Sequence, residues 1–289
     1  MSRILMVGLP SAGKSTFLAA LWHVVTSGEV PEALQQGRLS ESREYIESLR
    51  RRWQRCDPIQ RTFGSTRETV EMQVKNADTG RTADLHFPDL AGEIFAEHWR
   101  DRRWMPDYAK QASGAASLLL FVHAGGKYKP DLLQDFPILT PEDATEDELT
   151  PLKFDMDRAC DQAKIVDILQ FHRDYLAATK PLRVAVLVSA WDIAEQAAAY
   201  TGESVTPRQF IASHAPLLDQ FLRSNPETIE NCIWGVSAQG GTLENSADKE
   251  RQANTEVASH RIHVIPADGG TAETPSHDIT APVRWAAAL

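Results

Sequence analysis

Apolar residues in this chain fall into short dense runs separated by longer amphipathic stretches. The first run, Ile4-Leu5-Met6-Val7, stops at Gly8 and Pro10, so residues 3–7 predict a compact strand. Phe17-Leu18-Ala19-Ala20-Leu21-Trp22 is rich in helix formers, and Gly28 supplies a stop. Tyr45, Leu49 and Trp53 recur every four residues among charged neighbours, which predicts a helix over 41–55. Cys56-Asp57-Pro58 ends it, because the residue before a proline is pushed out of the helical region. Residues 69–74 and 83–87 alternate with period two around a turn at 76–81, the pattern of a hairpin. A helix is expected over much of 91–111. Residues 117–122, 184–188 and 232–236 are continuous apolar runs, as in strands buried on both faces. Helices are predicted between them over 158–178 and 207–223, the second with Thr206 as N-cap and Pro207 in its first turn. Residues 261–265 suggest an added strand, and 280–289 a closing helix that packs Val283 and Trp285.

Strands alternating with helices, plus one early hairpin, predict an α/β fold. The expected form is a three-layer α/β/α sandwich on a mostly parallel six-stranded sheet with one antiparallel strand. One domain over 1–289 is expected, with an insertion at about 125–151 and a C-terminal extension from about 240 to 289. The insertion carries Asp131, Asp135, Glu142, Asp143, Glu146, Asp147 and Glu148 and reads as a solvated loop or a dock for a basic partner surface. Residues 239–259 are polar and read as loop.

Composition narrows the function classes. Hydrophobic residues at 42% and charged residues at 24% suit a globular core. A net charge of -10 and a pI near 5.4 argue against nucleic-acid or anionic-membrane binding through bulk charge. Cys56, Cys160 and Cys232 form no CxxC pair, so buried free thiols are expected rather than a disulfide framework or zinc site. The first apolar run is too short for a signal-peptide core or a membrane span. Ser2 and the terminal Ala-Ala-Ala-Leu carry no lipidation signal, and a cytoplasmic location is expected.

The sharpest chemical signal is Gly8-Leu9-Pro10-Ser11-Ala12-Gly13-Lys14-Ser15. It matches G-x-x-x-x-G-K-[ST] between a predicted strand and a predicted helix. The glycines let the backbone fold into a nest whose N–H groups meet phosphate oxygens. Lys14 reaches the β- and γ-phosphates, Ser15 offers its hydroxyl to Mg2+, and the helix adds the positive end of its dipole. Gly8, Ser11, Ala12, Gly13, Lys14, Ser15 and Thr16 are the candidate phosphate-binding residues. At the end of the second hairpin strand stands Asp89-Leu90-Ala91-Gly92. There Asp89 can hold Mg2+ through water, and the Gly92 N–H can bond the γ-phosphate. Two further elements directly follow apolar strands: Ser189-Ala190-Trp191-Asp192 and Ser237-Ala238-Gln239.

Taken in this order, the four elements over residues 3 to about 240 resemble those of the TRAFAC-class, Ras-like P-loop GTPases. The resemblance implies GTP or GDP with Mg2+ as ligand. It implies that Asp192 accepts hydrogen bonds from guanine, and that the Ser237-Ala238 element places the Ala238 N–H at O6. Ser189 departs from the usual Asn or Thr, and Ala190 from the lysine whose stem lies over the base; Trp191 is a candidate for the lost stacking area. Trp53, Cys56, Arg61-Thr62, Phe87-Pro88-Asp89-Leu90 with Gly92-Glu93, and Phe121-Val122-His123 are similar to the bacterial double-GTPase group. That group looks like paired regulatory GTPases of prokaryotic operons, some linked to conflict systems, which implies a protein partner or second GTPase.

In such a family a threonine of the first switch loop completes the Mg2+ shell. Thr62 is the candidate here, with Thr66 as fallback. Glu93 occupies the position where many relatives carry a water-orienting glutamine, so slow hydrolysis assisted by Glu93 is expected, against the alternative that Glu93 caps the next helix. Arg61, Arg100, Arg102 and Arg103 are candidate arginine fingers, though each also suits a solvated helix face. The alternatives are a nucleotide-binding scaffold with little hydrolysis and an ATP-using P-loop NTPase.

Overall fold

The computed structural model describes residues 2–38, 43–59, 69–88, 93–129, 159–176, 181–202, 204–243, 246–267 and 276–289. Its centre is an eight-stranded sheet in the order β2-β3-β4-β1-β5-β6-β7-β8. The strands are β1 (Ser2–Gly8), β2 (Gln35–Gln36), β3 (Val70–Lys75), β4 (Thr82–Phe87), β5 (Ser117–His123), β6 (Leu182–Ser189), β7 (Ile229–Ser237) and β8 (His263–Pro266). β1 pairs in parallel with both β4 and β5, and β5, β6 and β7 continue the parallel run. The expected six strands are present with β3 antiparallel to β4. Each edge carries one strand more, both antiparallel to their neighbours: two-residue β2 against β3, and β8 against β7. β8 is the added strand suggested by residues 261–265; β2 is too short to leave a periodic signal.

Ten helices stand among the described residues. They are α1 (Lys14–Ser27), α2 (Arg43–Gln54), α3 (Glu93–Asp101), α4 (Pro106–Ala112), α5 (Asp161–Leu176), α6 (Trp191–Thr201), α7 (Pro207–His214), α8 (Pro216–Ser224), α9 (Ser246–Ala253) and α10 (Ala281–Ala287). α1 ends at Gly28 in the left-handed region (φ 73°), a conformation glycine adopts without the Cβ clash. Thr206 caps α7 reciprocally with Gln209, a capping box.

Two expected helices are each split. The helix expected over 91–111 breaks between α3 and α4, where Arg102 takes φ 53° and Pro106 starts a new first turn. The helix expected over 207–223 breaks at Pro216, which has no N–H to continue the ladder. The polar 239–259 segment, read as loop, contains α9 and a 3-10 turn at Ala258–Arg261.

Two apolar layers sandwich the sheet. Phe17, Leu18 and Leu21 of α1, Trp53 of α2 and Val283 of α10 cover one face. Phe95 of α3, Tyr108 of α4, Leu169 of α5, Trp191 of α6, Ile211 of α7 and Leu218 of α8 cover the other. The closing helix packs Val283 fully inward, while the half-buried Trp285 lies beneath the Arg183 guanidinium, 4.5 Å from its centre. The chain runs from β1 to one side of the sheet and from β4 to the other, so β1 lies at the switch point where open α/β sheets hold ligands.

Candidate functional site

The glycine-rich turn leaves β1 and enters α1 as the sequence predicts. Ser11 (φ 61°) and Gly13 (φ 84°) both take positive φ, which curls the backbone into a concave loop. Gly13 is the N-cap of α1, and no side chain caps that end. Lys14 is buried, and its ammonium donates to the carbonyl oxygens of Gly8 (2.8 Å) and Leu9 (2.9 Å). Glycine at 8 has a packing reason: a Cβ there would stand 2.9 Å from Phe121 Cβ.

Ser189, at the end of β6, bears directly on this turn. Its hydroxyl donates to the Ala12 carbonyl at 2.8 Å in a buried contact, and a Cβ on Gly13 would meet it at 3.2 Å. A serine therefore suffices to tie the third element to the first. Ala190 then adopts the left-handed conformation (φ 52°) as N-cap of α6, which puts Asp192 in the first turn of that helix. A carboxylate is electrostatically favoured there.

Asp192 Oδ1 accepts a 2.6 Å hydrogen bond from the Ser237 hydroxyl, and Ser237 Oγ in turn accepts from the Gly240 N–H at 3.1 Å. The third and fourth elements thus meet at the carboxyl ends of neighbouring β6 and β7. Trp191 corrects the expectation made of it: it is fully buried among Gly235 and Phe210 and belongs to the core. The αL turn at Ala190 aims it inward and Asp192 outward.

Sequence reasoning missed two histidines beside Asp192. His123 ends β5 and accepts from the Gly125 N–H at 3.0 Å; His263 opens β8 directly opposite Ser237. Burial holds both below the ordinary histidine pKa, and the Asp192 charge opposes this. His123 appeared in the sequence only as part of a pattern, and β8 was too short for its register to be read.

The remaining candidate residues fall elsewhere. Thr62, Thr66, Arg61, Asp89 and Gly92 lie outside the described residues, as do the Glu93 side chain and most of the acidic insertion. Glu93 begins α3, immediately after the D-x-x-G segment. Arg102 pairs with Asp167 of α5 at 2.6 Å, and its guanidinium lies over the Trp99 and Phe171 rings, which anchors α3 to α5. All three cysteines are free thiols, with Cys56 fully buried and Cys160 and Cys232 partly so. Among the described residues no helix is long and apolar enough to cross a membrane.

A glycine-rich turn at the switch point of a mostly parallel sheet, with two further loops at the same edge, defines a P-loop nucleotide-binding protein. A profile of the Double-GTPase 1 family matches residues 5–286, and the chain belongs to that family. Membership makes it a GTPase-family protein and implies a guanine nucleotide as ligand. No curated protein matches the sequence. Among solved structures, the chain is similar to a bacterial selenocysteine-specific elongation factor, EF-Sec (12% identity, 90% of this chain and 30% of that one, TM-score 0.36). It is also similar to the SRb-GTP/SRX signal recognition particle receptor complex of Chaetomium thermophilum (11%, 84% and 93%, TM-score 0.43). A third is the S. cerevisiae Ski7 GTPase-like domain bound to GTP (12%, 85% and 44%, TM-score 0.36). The chain thus spans under a third of EF-Sec's length and under half of the Ski7 domain's.

Proposed function

We propose that this protein is a bacterial regulatory switch that binds GTP with Mg2+ and hydrolyses it slowly to GDP and phosphate. The observation that carries the reading is the placement of Asp192. Its carboxylate is fixed by Ser237 at the edge where Ser189 joins the base-reading segment to the phosphate loop. One rigid group therefore links the part that would hold the base to the part that would hold the phosphates.

In this reading the N–H groups of 11–16 hold the phosphate oxygens at the uncapped start of α1, with Gly8 and Gly13 allowing the turn. Lys14 exchanges its carbonyl partners for the β- and γ-phosphates. Mg2+ suits the oxygen donors available, because a small hard cation prefers hydroxyl, carboxylate and phosphate ligands. Ser15 and Thr62 would hold it directly and Asp89 through water. Bound there, it neutralises charge on the phosphates. Asp192 accepts from the guanine N1–H and amino group, and the Ala238 N–H donates to O6. The Gly92 N–H follows the γ-phosphate, which couples the next segment to the state of the nucleotide.

In hydrolysis the water oxygen bonds to the γ-phosphorus as the bond to the β–γ bridging oxygen breaks. GDP departs, and the water's proton passes to the released phosphate. Glu93 accepts a hydrogen bond from that water. Its negative charge near the γ-phosphate works against it, which is the physical reason to expect a slow rate. A protein partner or second GTPase fits the regulatory role.

Multiple-turnover phosphate release from Mg2+-GTP tests the proposal. The expected result is slow turnover that Lys14→Ala abolishes and Glu93→Ala lowers about tenfold or more, as for loss of one hydrogen bond to a charged group. Tight binding without turnover would replace the enzyme with a nucleotide-binding scaffold. An unchanged rate in Glu93→Ala would leave that residue only as the start of α3.

A further inference from the structure

The geometry points to Trp53 as a positioning residue for guanine selectivity, acting through the carbonyl of Ala238. This rests on the proposed contact between the Ala238 N–H and guanine O6. Trp53 lies on α2, 185 residues earlier in the chain, and is fully buried. Its indole N–H donates to the Ala238 carbonyl at 2.8 Å. An indole has one donor and no acceptor, so this bond fixes the orientation of the ring and of the 238–239 peptide together.

The ring is itself clamped. The Arg261 guanidinium lies 4.2 Å from its centre, and the His23 imidazole packs at 5.0 Å. Arg261 is only 4% exposed and donates to Cys56 Sγ at 2.6 Å, one turn beyond Trp53. Gln239 donates to Gln252 Oε1 at 3.3 Å and lies 3.7 Å from the same sulfur. Gly240 is wedged so closely that a Cβ would fall 2.4 Å from the Arg261 carbonyl oxygen.

The loop at 237–240 is therefore held on two sides. Ser237 ties it to Asp192 in front, while Trp53 and Arg261 hold its back. A small loop of Ser, Ala, Gln and Gly has only the buried Ala238 methyl as an apolar anchor of its own. Its backbone takes its direction from these contacts, and a buried carbonyl left unpaired costs more than the bond itself contributes. Without the indole donor the 238–239 peptide turns to find another partner, and the compensating rotation about the Ala238 backbone carries the adjoining 237–238 peptide, with the Ala238 N–H, off the line to O6. Contacts made by Asp192 to N1–H and the amino group depend on Ser237 and survive.

The test is equilibrium binding of GDP and 6-thioguanosine diphosphate, each with Mg2+, to the full chain. The thio analogue keeps the groups proposed to meet Asp192 and replaces O6 with a weaker acceptor. Wild type is expected to prefer GDP. Trp53→Phe, which keeps an aromatic ring and removes the donor, is expected to weaken GDP about tenfold, as for loss of one buried hydrogen bond, and the thio analogue less than twofold. Arg261→Lys, which keeps the charge but loses the flat stack, is expected to shift GDP alone by about threefold. Equal weakening of both ligands would show a general structural effect and overturn the positioning role, and so would no change in either. A wild type that binds both ligands equally would instead remove the Ala238–O6 contact on which the inference rests.

Discussion

Ser189, Asp192 and Ser237 show how single residues at strand ends set the geometry of the site. The Ser189 hydroxyl takes the Ala12 carbonyl and Ser237 takes the Asp192 carboxylate, so two short polar side chains lock three loops. The glycine-rich turn that they join was legible. A G-x-x-x-x-G-K-S turn is dictated by backbone shape, and the sequence can display that directly. What could not be read was direction. Trp191 and Asp192 are adjacent, and only the αL turn at Ala190 decides that the indole enters the core while the carboxylate meets Ser237. Gly235 completes that arrangement, since a Cβ there would meet the Trp191 indole at 2.6 Å. Gly235→Ala is expected to destabilise the fold by ~1–3 kcal/mol through overpacking. Urea unfolding would show a lower midpoint; an unchanged midpoint would mean that the indole has room to move.

At the scale of elements, the strands and long helices followed from periodicity, while the breaks followed from local stereochemistry. Pro106 and Pro216 each start a new helix, and α9 escaped notice because it is almost wholly polar. The α3–α4–α5 junction contains a device no pattern announces. His172 of α5 is fully buried, with Nδ1 against the Ile168 carbonyl and Nε2 against the Tyr108 hydroxyl of α4. A carbonyl can only accept, so Nδ1 carries the proton and Nε2 accepts from tyrosine. Burial, opposed by the Ile168 bond and reinforced by the nearby His98, lowers its pKa to about 4. The unfolded chain, with histidine near 6.5, therefore binds the proton more readily than the folded one. Stability is at its full value above about pH 6.5 and is lost as pH falls toward 4, by ~3 kcal/mol from this group. Unfolding free energies measured between pH 7 and 4.5 should fall accordingly. In His172→Gln the slope in that window should be shallower by close to one proton, and an unaltered slope would place the titration elsewhere.

For the whole molecule, the sheet brings together loops that the chain separates by more than 180 residues, and this is where sequence reading reaches its limit. Order along the chain pointed to the double-GTPase group, and family membership agrees. The contact of α2 with the loop after β7 depends on three-dimensional packing alone. In the proposed function the acidic chain would bind a polyanionic ligand through local means: backbone N–H groups, a helix start and one buried lysine, with a carboxylate reserved for the base. The measurement that tests this division most directly is binding of GDP, GTP, ADP and ATP, each with Mg2+, to wild type and Asp192→Asn. A clear guanine preference is expected in wild type and its loss in the variant, with the phosphate contacts retained. Adenine nucleotides bound as tightly as guanine ones, or a guanine preference intact in Asp192→Asn, would contradict that division.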